Sequence, residues 1–463
     1  MGKYQAYPEY KESGIEWITE IPSHWHISNI GHESSVKARL GWKGLKADEY
    51  VDEGYVFLAT PNIKGKEIDF TDVNRITKDR YDESPEIMLQ TGDVLVTKDG
   101  STTGTTNLVR VLPEPATVNS SIAVLRSKGA VGCNYLFYFF VSDYTQNVIT
   151  RMRGGMGVPH LFQADLRKFS MLVPPLPEQT QIANFLDHET AKIDTLIEKQ
   201  QLLIKLLKEK RQAVISHAVT KGLNPQAPMK DSGVEWLGEV PEHWDVSRLK
   251  FECDVVDCRN KTPEYFENGE YFVVRTTNVK KQKLNFNGAL YTDKKNFDIW
   301  TQRGIPPSGS ILFTREAPTG EVCLVPDNLK FCMGQRMMNF ISNSQAYTNY
   351  LFDYLISDCL DRYINSVSHG STVSHLRVEQ VENIPVPVPP QKELIAIHEH
   401  ILNLKTQYDD LESNALKAID LMKERRTALI SAAVTGKIDV RNWQAPGVQH
   451  VASVHEEPLE AMA

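Results

Sequence analysis

Long apolar runs are missing from this 463-residue chain: none approaches the roughly 20 residues that a bilayer-spanning helix needs. The first residues lack the basic-then-apolar form of a secretion signal. The six cysteines (133, 253, 258, 323, 332 and 359) form no C-x-x-C pair and show no zinc spacing. These absences predict a reduced, cytoplasmic setting with no membrane partner and no bound metal. Basic charge is not in excess either. The net charge of −8 argues against coating nucleic acid by bulk charge. It leaves room for docking through local basic loops, since only the contacting face must meet phosphates. Catalytic signatures are equally scarce. An amino-methyltransferase needs an Asn/Asp-Pro-Pro-aromatic loop for a flipped base and a Gly-rich turn for the methyl donor. Here every Pro-Pro precedes Leu176, Ser308 or Gln391, and no Walker-type phosphate loop occurs. Asp293-Lys294-Lys295 fits a nuclease-like acid-x-Lys tripeptide, but no pair of acidic metal ligands accompanies it.

What the chain does have is duplication. From Pro174-Pro175-Leu176-Pro177-Glu178-Gln179 it runs without Gly or further Pro to Thr220, with Ile182, Leu186, Ile193, Leu196, Leu203, Leu207 and Val214 stepping by three and four. A second copy opens Pro387-Val388-Pro389-Pro390-Gln391 and continues through Leu394, Ile397, Ile401, Leu404, Tyr408, Leu411, Met422 and Leu429. A period near 3.5 is what lets one helix lie along another at a shallow angle. The spacing therefore predicts two long helices of about 40 residues, roughly 60 Å each at 1.5 Å per residue. They close alike, Ala213-Val214-Ile215-Ser216 beside Ala428-Leu429-Ile430-Ser431.

The segments before the helices repeat too. Ser13-Gly14-Ile15-Glu16-Trp17 and Ile21-Pro22-Ser23-His24-Trp25 return as Ser232-Gly233-Val234-Glu235-Trp236 and Val240-Pro241-Glu242-His243-Trp244. Their simplest role is packing, with aromatics pinning an extended segment and Pro fixing the bend; His24 and His243 read as structural. Between lead-in and helix lies the texture of an α/β globule. Tyr55–Thr60 and Tyr271–Thr276 are strand candidates, each followed by a polar turn. Gly92–Gly104 and Gly309–Gly320 read as a buried strand delivering a basic-tipped loop. A Gly/Ser-rich loop then precedes each helix. The two halves differ most in the globules, as expected of related modules that bind different targets.

The duplicated layout resembles the specificity subunit of type I restriction–modification systems, on the strength of Ile21–Trp25, Pro174–Ile182 and their second copies. The second exit phrase departs, with Pro390-Gln391-Lys392-Glu393 in place of a Pro-x-Glu-Gln pattern. The resemblance implies an α/β (α+β) chain with two similar target-recognition domains separated by two long antiparallel coiled-coil-like helices, in a pseudo-twofold duplication. The expected boundaries are 1–28 anchor, 29–173 first recognition domain, 174–222 helical region, 223–247 second anchor, 248–386 second recognition domain, 387–436 helical region and 437–463 a loose tail. It further implies a bacterial or archaeal cytoplasmic protein that reads the two halves of a split, asymmetric double-stranded DNA site. Two methyltransferase subunits that modify adenine N6 would dock on the helices, and translocase–nuclease restriction subunits would complete the complex. S-adenosylmethionine, ATP and magnesium would belong to those partners, leaving this chain non-catalytic and without a cofactor.

For DNA reading the useful groups are Arg and Lys toward guanine or phosphate, Asn toward adenine, and Ser or Thr toward either. In the first globule these are Lys43, Asn62, Lys64, Lys98, Ser101, Thr102, Thr103, Arg151 and Arg153. In the second they are Arg259, Lys261, Arg275, Thr277, Asn278, Lys280, Arg315, Thr319, Arg336, Ser371 and Thr372. The run Lys205, Lys208, Lys210 and Arg211 reads instead as an exposed helix face. Two alternatives stay open: a scaffold whose globules bind proteins, which the acidic charge favours slightly, and the recognition subunit of a fused methyltransferase–nuclease. The chain purified alone is expected to show no methylation, DNA cleavage or ATP hydrolysis. Transfer of labelled methyl groups from S-adenosylmethionine by the rigorously purified chain would contradict this.

Overall fold

Val94–Thr97 and Ile311–Arg315 are fully buried strands, as expected of short apolar runs covered on both faces. Each lies inside a four-stranded antiparallel sheet. In the first half the order is Ser34–Lys37, Ile122–Ser127, Val94–Thr97, Thr106–Leu108; in the second it is Asp254–Asp257, Met337–Ile341, Ile311–Arg315, Thr319–Leu324. A three-stranded sheet accompanies each, and both contain one parallel pair: Tyr55–Leu58 with Ala116–Val118, and Tyr271–Val274 with Phe331–Met333. The halves therefore share these two sheets strand for strand, and the second adds a short hairpin, Val279–Lys280 with Lys283–Leu284. The computed structural model describes residues 4–39, 45–152, 160–367 and 375–445. Two compact units account for it, one of Met1–Lys199 with Ala418–Ala463, the other Gln200–Lys417.

The long helices run over Leu176–Lys221 and Gln391–Val434. Pro177 sits in the first turn of the first helix, where no backbone N–H is required of it. Gly222 and Gly436 follow the helix ends with φ of 72° and 73°, the left-handed closure that favours glycine. At Gly436 a side chain would also collide with Pro22, whose Cδ lies 2.4 Å from an ideal Cβ. Each unit holds a piece of both helices, packed antiparallel. In the first, Phe185 meets Trp443 edge-on and Asp194 pairs with Arg426 at 3.0 Å. In the second, Lys208 pairs with Glu412 and Arg211 with Asp409, three residues forward on one helix and three back on the other.

The seam is not quite the expected one. Leu196, Leu203 and Leu411 are exposed, while Ile197, Ile204 and Glu412 take the inward positions beside them. Two apolar stripes run side by side on these helices, and period alone does not say which faces the partner. The start of the expected tail is also core: Ile438 and Val440 are buried, Asp439 N–H donates to Gln5 O, and the Tyr10 hydroxyl donates to Gly436 O. The nuclease-like tripeptide has a structural role, since Asp293 caps the helix Lys294–Trp300 through Asn296 N–H.

The lead-in phrases pack as a hairpin, Tyr10–Ile15 against Ile18–Pro22, with the counterpart Met229–Asp231 against Glu239–Pro241. Trp25 and Trp244 are wholly buried, and each indole N–H donates to a carboxylate in the first turn of a long helix: Glu178 at 2.9 Å and Glu393 at 3.0 Å. His24 and His243 meet the other oxygens of the same carboxylates at 2.7 and 2.6 Å. Glu393 thus stands where Glu178 does, so the departure in the second exit phrase lies in the residues around the glutamate. Only Glu178 carries a third partner, the Tyr7 hydroxyl at 2.6 Å. Burial, and then this bond, raise the Tyr7 phenol far above its usual range. Replacing Glu178 strands two buried donors, replacing Glu393 strands one whose bond is half-open to solvent, and each buried loss costs about 1–3 kcal/mol. Glu178→Ala is therefore expected to destabilise its unit by about 3 kcal/mol and Glu393→Ala by about 1 kcal/mol, as read by urea unfolding.

Candidate nucleic-acid interface

The strand Val94–Thr97 ends in the loop Lys98–Gly104, and Ile311–Arg315 ends in Glu316–Gly320. The same bonds fix both. Lys98 N–H donates to Ser121 O at 2.7 Å, and Arg315 N–H to Arg336 O at 2.8 Å. The Thr103 hydroxyl donates to Lys98 O and the Thr319 hydroxyl to Arg315 O. Leu161 N–H and Leu376 N–H close the other side, on Lys98 O at 2.8 Å and Arg315 O at 3.1 Å. Two sheet ends of matched geometry therefore present one short polar loop each.

The basic residues chosen at these loops are not at the surface. Lys98 is 6 % and Arg315 7 % exposed. Burial pushes the Lys98 ammonium below its usual range, against the opposing pull of Asp99. Arg315 lies 3.4 Å from Asp257. Asn62 and Asn278 are buried too, and both build turns. Asn62 Oδ1 accepts from Ala59 N–H while its amide donates to Asp69 O and Asp72 O. Asn278 Oδ1 accepts from Arg275 N–H and its amide donates to Asn285 O. Buried Thr103 spends its hydroxyl on Gly100 O and Lys98 O. An Asn or Thr in a loop has the same composition whether it shapes the turn or faces a ligand, so sequence could not separate the two.

Lys64, Ser101, Lys261, Thr277, Lys280 and Arg336 are exposed. Thr102, Arg259, Arg275 and Thr319 are half-buried; Arg259 donates to Ile299 O and Arg275 to Gly288 O. Arg151 is exposed but lies elsewhere, its guanidinium carbon 3.4 Å from the centre of the Trp17 ring. Lys43, Arg153, Ser371 and Thr372 fall outside the described residues. Of the basic helix run, Lys205, Lys208 and Lys210 are exposed as expected and Arg211 is half-buried; Lys208 and Arg211 pair with the facing helix.

Sequence reasoning missed two features. Lys281 and Gln282 take left-handed backbone (φ 52° and 64°) in the hairpin joining Val279–Lys280 to Lys283–Leu284, so Lys280, Lys281 and Lys283 form one exposed basic tip. The run Lys280-Lys281-Gln282-Lys283 was the available signal. Also missed were Asp99 with His160, and Glu316 with His375 and Arg336. His160-Leu161 against His375-Leu376 marks them once the halves are aligned. Burial pushes the Cys253, Cys323 and Cys332 thiols up to about 12, away from the thiolate form that is nucleophilic.

A family model described as "Type I restriction modification DNA specificity domain" matches residues 41–206 and 241–421. The MjaVIII type I restriction enzyme specificity subunit of Methanocaldococcus jannaschii is 24% identical over 447 residues, covering 94% of this chain and 98% of that one. The EcoKI specificity subunit of Escherichia coli K12 is 21% identical, covering 92% and 91%. Among solved structures, the HsdS subunit from Thermoanaerobacter tengcongensis superposes with a TM-score of 0.53 at 17% identity, over 90% of this chain and 98% of that one. A chain reported under "Structural basis underlying complex assembly and conformational transition of the type I R-M system" reaches 0.61 at 18%, over 90% and 99%.

The burial pattern has a direct check. Asn62→Ala and Asn278→Ala are each expected to cost about 1–3 kcal/mol, because each removes the part-buried bonds that hold its turn. Lys64→Ala and Lys280→Ala should stay within about 0.5 kcal/mol of the parent in the same unfolding assay.

Proposed function

The chain belongs to the type I restriction–modification DNA specificity family, and from that membership we infer how its two units share the work. Its role is DNA sequence specificity within a restriction–modification complex. Each globule reads one half of a bipartite, asymmetric site in double-stranded DNA. The long helices set the distance between the halves and carry two methyltransferase subunits, which methylate adenine N6, and through them the restriction subunits. The chain does no chemistry itself; S-adenosylmethionine, ATP and magnesium act on the partners, in the cytoplasm.

One observation carries this reading: the two globules share the same four- and three-stranded sheets, and in each unit a lead-in tryptophan is tied to the first turn of a long helix, while their loop residues differ. A shared framework with divergent loops suits two readers of different sequences. The exposed, polar or basic side chains left for contact are Lys64 and Ser101 in the first globule. In the second they are Lys261, Thr277, Lys280 and Arg336. The helices add a second support. Leu202, Leu203, Leu206, Leu402, Leu411 and Leu416 are exposed, an apolar surface of the kind that partner helices cover.

Spacing is the most distinctive consequence. Four residues inserted after Lys199 lengthen the first helix by roughly 6 Å and turn it slightly past one full revolution. At about 3.4 Å per base pair, the unspecified gap in the methylated motif should grow by about one or two base pairs, with both defined parts unchanged. Methylome sequencing of cells expressing the insertion variant with its methyltransferase reads this. An active enzyme with an unaltered gap, or with rewritten defined bases, would sink the spacer role.

A further inference from the structure

We propose that the pairs Asp99–His160 and Glu316–His375 are positioning latches that hold the strand-end loop of each unit in its DNA-reading shape; this rests on the function proposed above. The pairs occupy the same place in both folds. Asp99 and Glu316 directly follow Lys98 and Arg315, and His160 and His375 directly precede Leu161 and Leu376, whose N–H groups bond back to those strand ends. Isolated backbone bridges join Asp99 to His160 and Glu316 to His375. The side chains close the same gap. His160 Nδ1 meets Asp99 Oδ1, and its ring packs edge-on against Phe162 with centroids 4.3 Å apart. His375 Nδ1 lies 3.3 Å from Glu316 Oε2, which Arg336 Nε also reaches at 2.8 Å.

Two considerations make these pairs positioning groups and not readers. What both units share cannot encode the difference between two target halves. That difference can lie where the loops diverge, at Gly100-Ser101-Thr102 against Ala317-Pro318. A carboxylate facing DNA also opposes binding, unless it is engaged from the protein side and does something else there. Here each is so engaged, and what it ties down is the loop's far edge. The sign of a deletion therefore separates the cases. Removing an acidic side chain that merely repels phosphate tightens binding, whereas removing a latch weakens it.

The test uses the full chain assembled with its methyltransferase subunits and a pool of DNA duplexes of random sequence, the bound fraction being sequenced. The parent is expected to enrich a two-part motif. Asp99→Ala and His160→Ala should each lower enrichment of one part by about tenfold, the worth of a charge-assisted hydrogen bond, and leave the other part intact. The double variant should be no worse than either single, as for two ends of one contact. Glu316→Ala should act on the other part alone. His160→Asn keeps an N–H donor near the Nδ1 position and should restore most of the lost enrichment. His160→Ala and His160→Asn of equal thermal stability but different enrichment assign the effect to the latch. Equal enrichment by those two overturns it, as does unchanged or tighter binding by Asp99→Ala, or loss in both parts of the motif. A parent that enriches no motif would instead remove the DNA-reading function, and the latch with it.

Discussion

Each half of this protein hangs on one contact, buried in the first half and half-buried in the second: a tryptophan indole N–H donating to a glutamate in the first turn of a long helix. Trp25 reaches Glu178 and Trp244 reaches Glu393. Burying an indole brings a large apolar contact but requires a partner for its N–H, and a buried carboxylate requires donors in turn. Each satisfies the other, and an imidazole takes the remaining oxygen. The carboxylate lies near a helix N-terminus, where the exposed N–H groups favour negative charge. Lead-in hairpin, globule and helix start are thereby fixed to one another within each unit.

Much of this architecture was legible in sequence because its signals are local. Helix length follows from a sustained period, and duplication from repeated phrases such as Pro22-Ser23-His24-Trp25 beside Pro241-Glu242-His243-Trp244. What stayed hidden depends on partners far along the chain. Ile438 and Val440 read as tail because the core they join is gathered from residues far along the chain. Leu196 and Ile197 were interchangeable as seam positions until the facing helix chose between them. The burial of Asn62, Asn278, Lys98 and Arg315 was hidden for one reason: polar side chains at strand ends look alike whether they turn inward to shape the loop or outward to meet a ligand.

Their burial bears on how specificity is built. The residues common to both sheet ends are spent on the framework: asparagines on turn carbonyls, threonines on strand-end carbonyls, Lys98 and Arg315 inside. The side chains left outside differ between the halves in number, type and charge. A shared frame with unshared tips lets each unit change its target without losing its fold.

The central claim is that the globules are independent readers on a common frame. It is tested most directly by replacing residues 30–169 with a second copy of residues 249–384. These cuts fall at matched points, beside the strand pairs His26–Asn29 with Ser170–Val173 and Asp245–Arg248 with Pro385–Val388. Methylome sequencing of cells carrying this hybrid and its methyltransferase should show one defined part of the parent motif appearing twice, at the parent's gap. An active hybrid that keeps both original parts, or reads a contiguous site, would contradict the account.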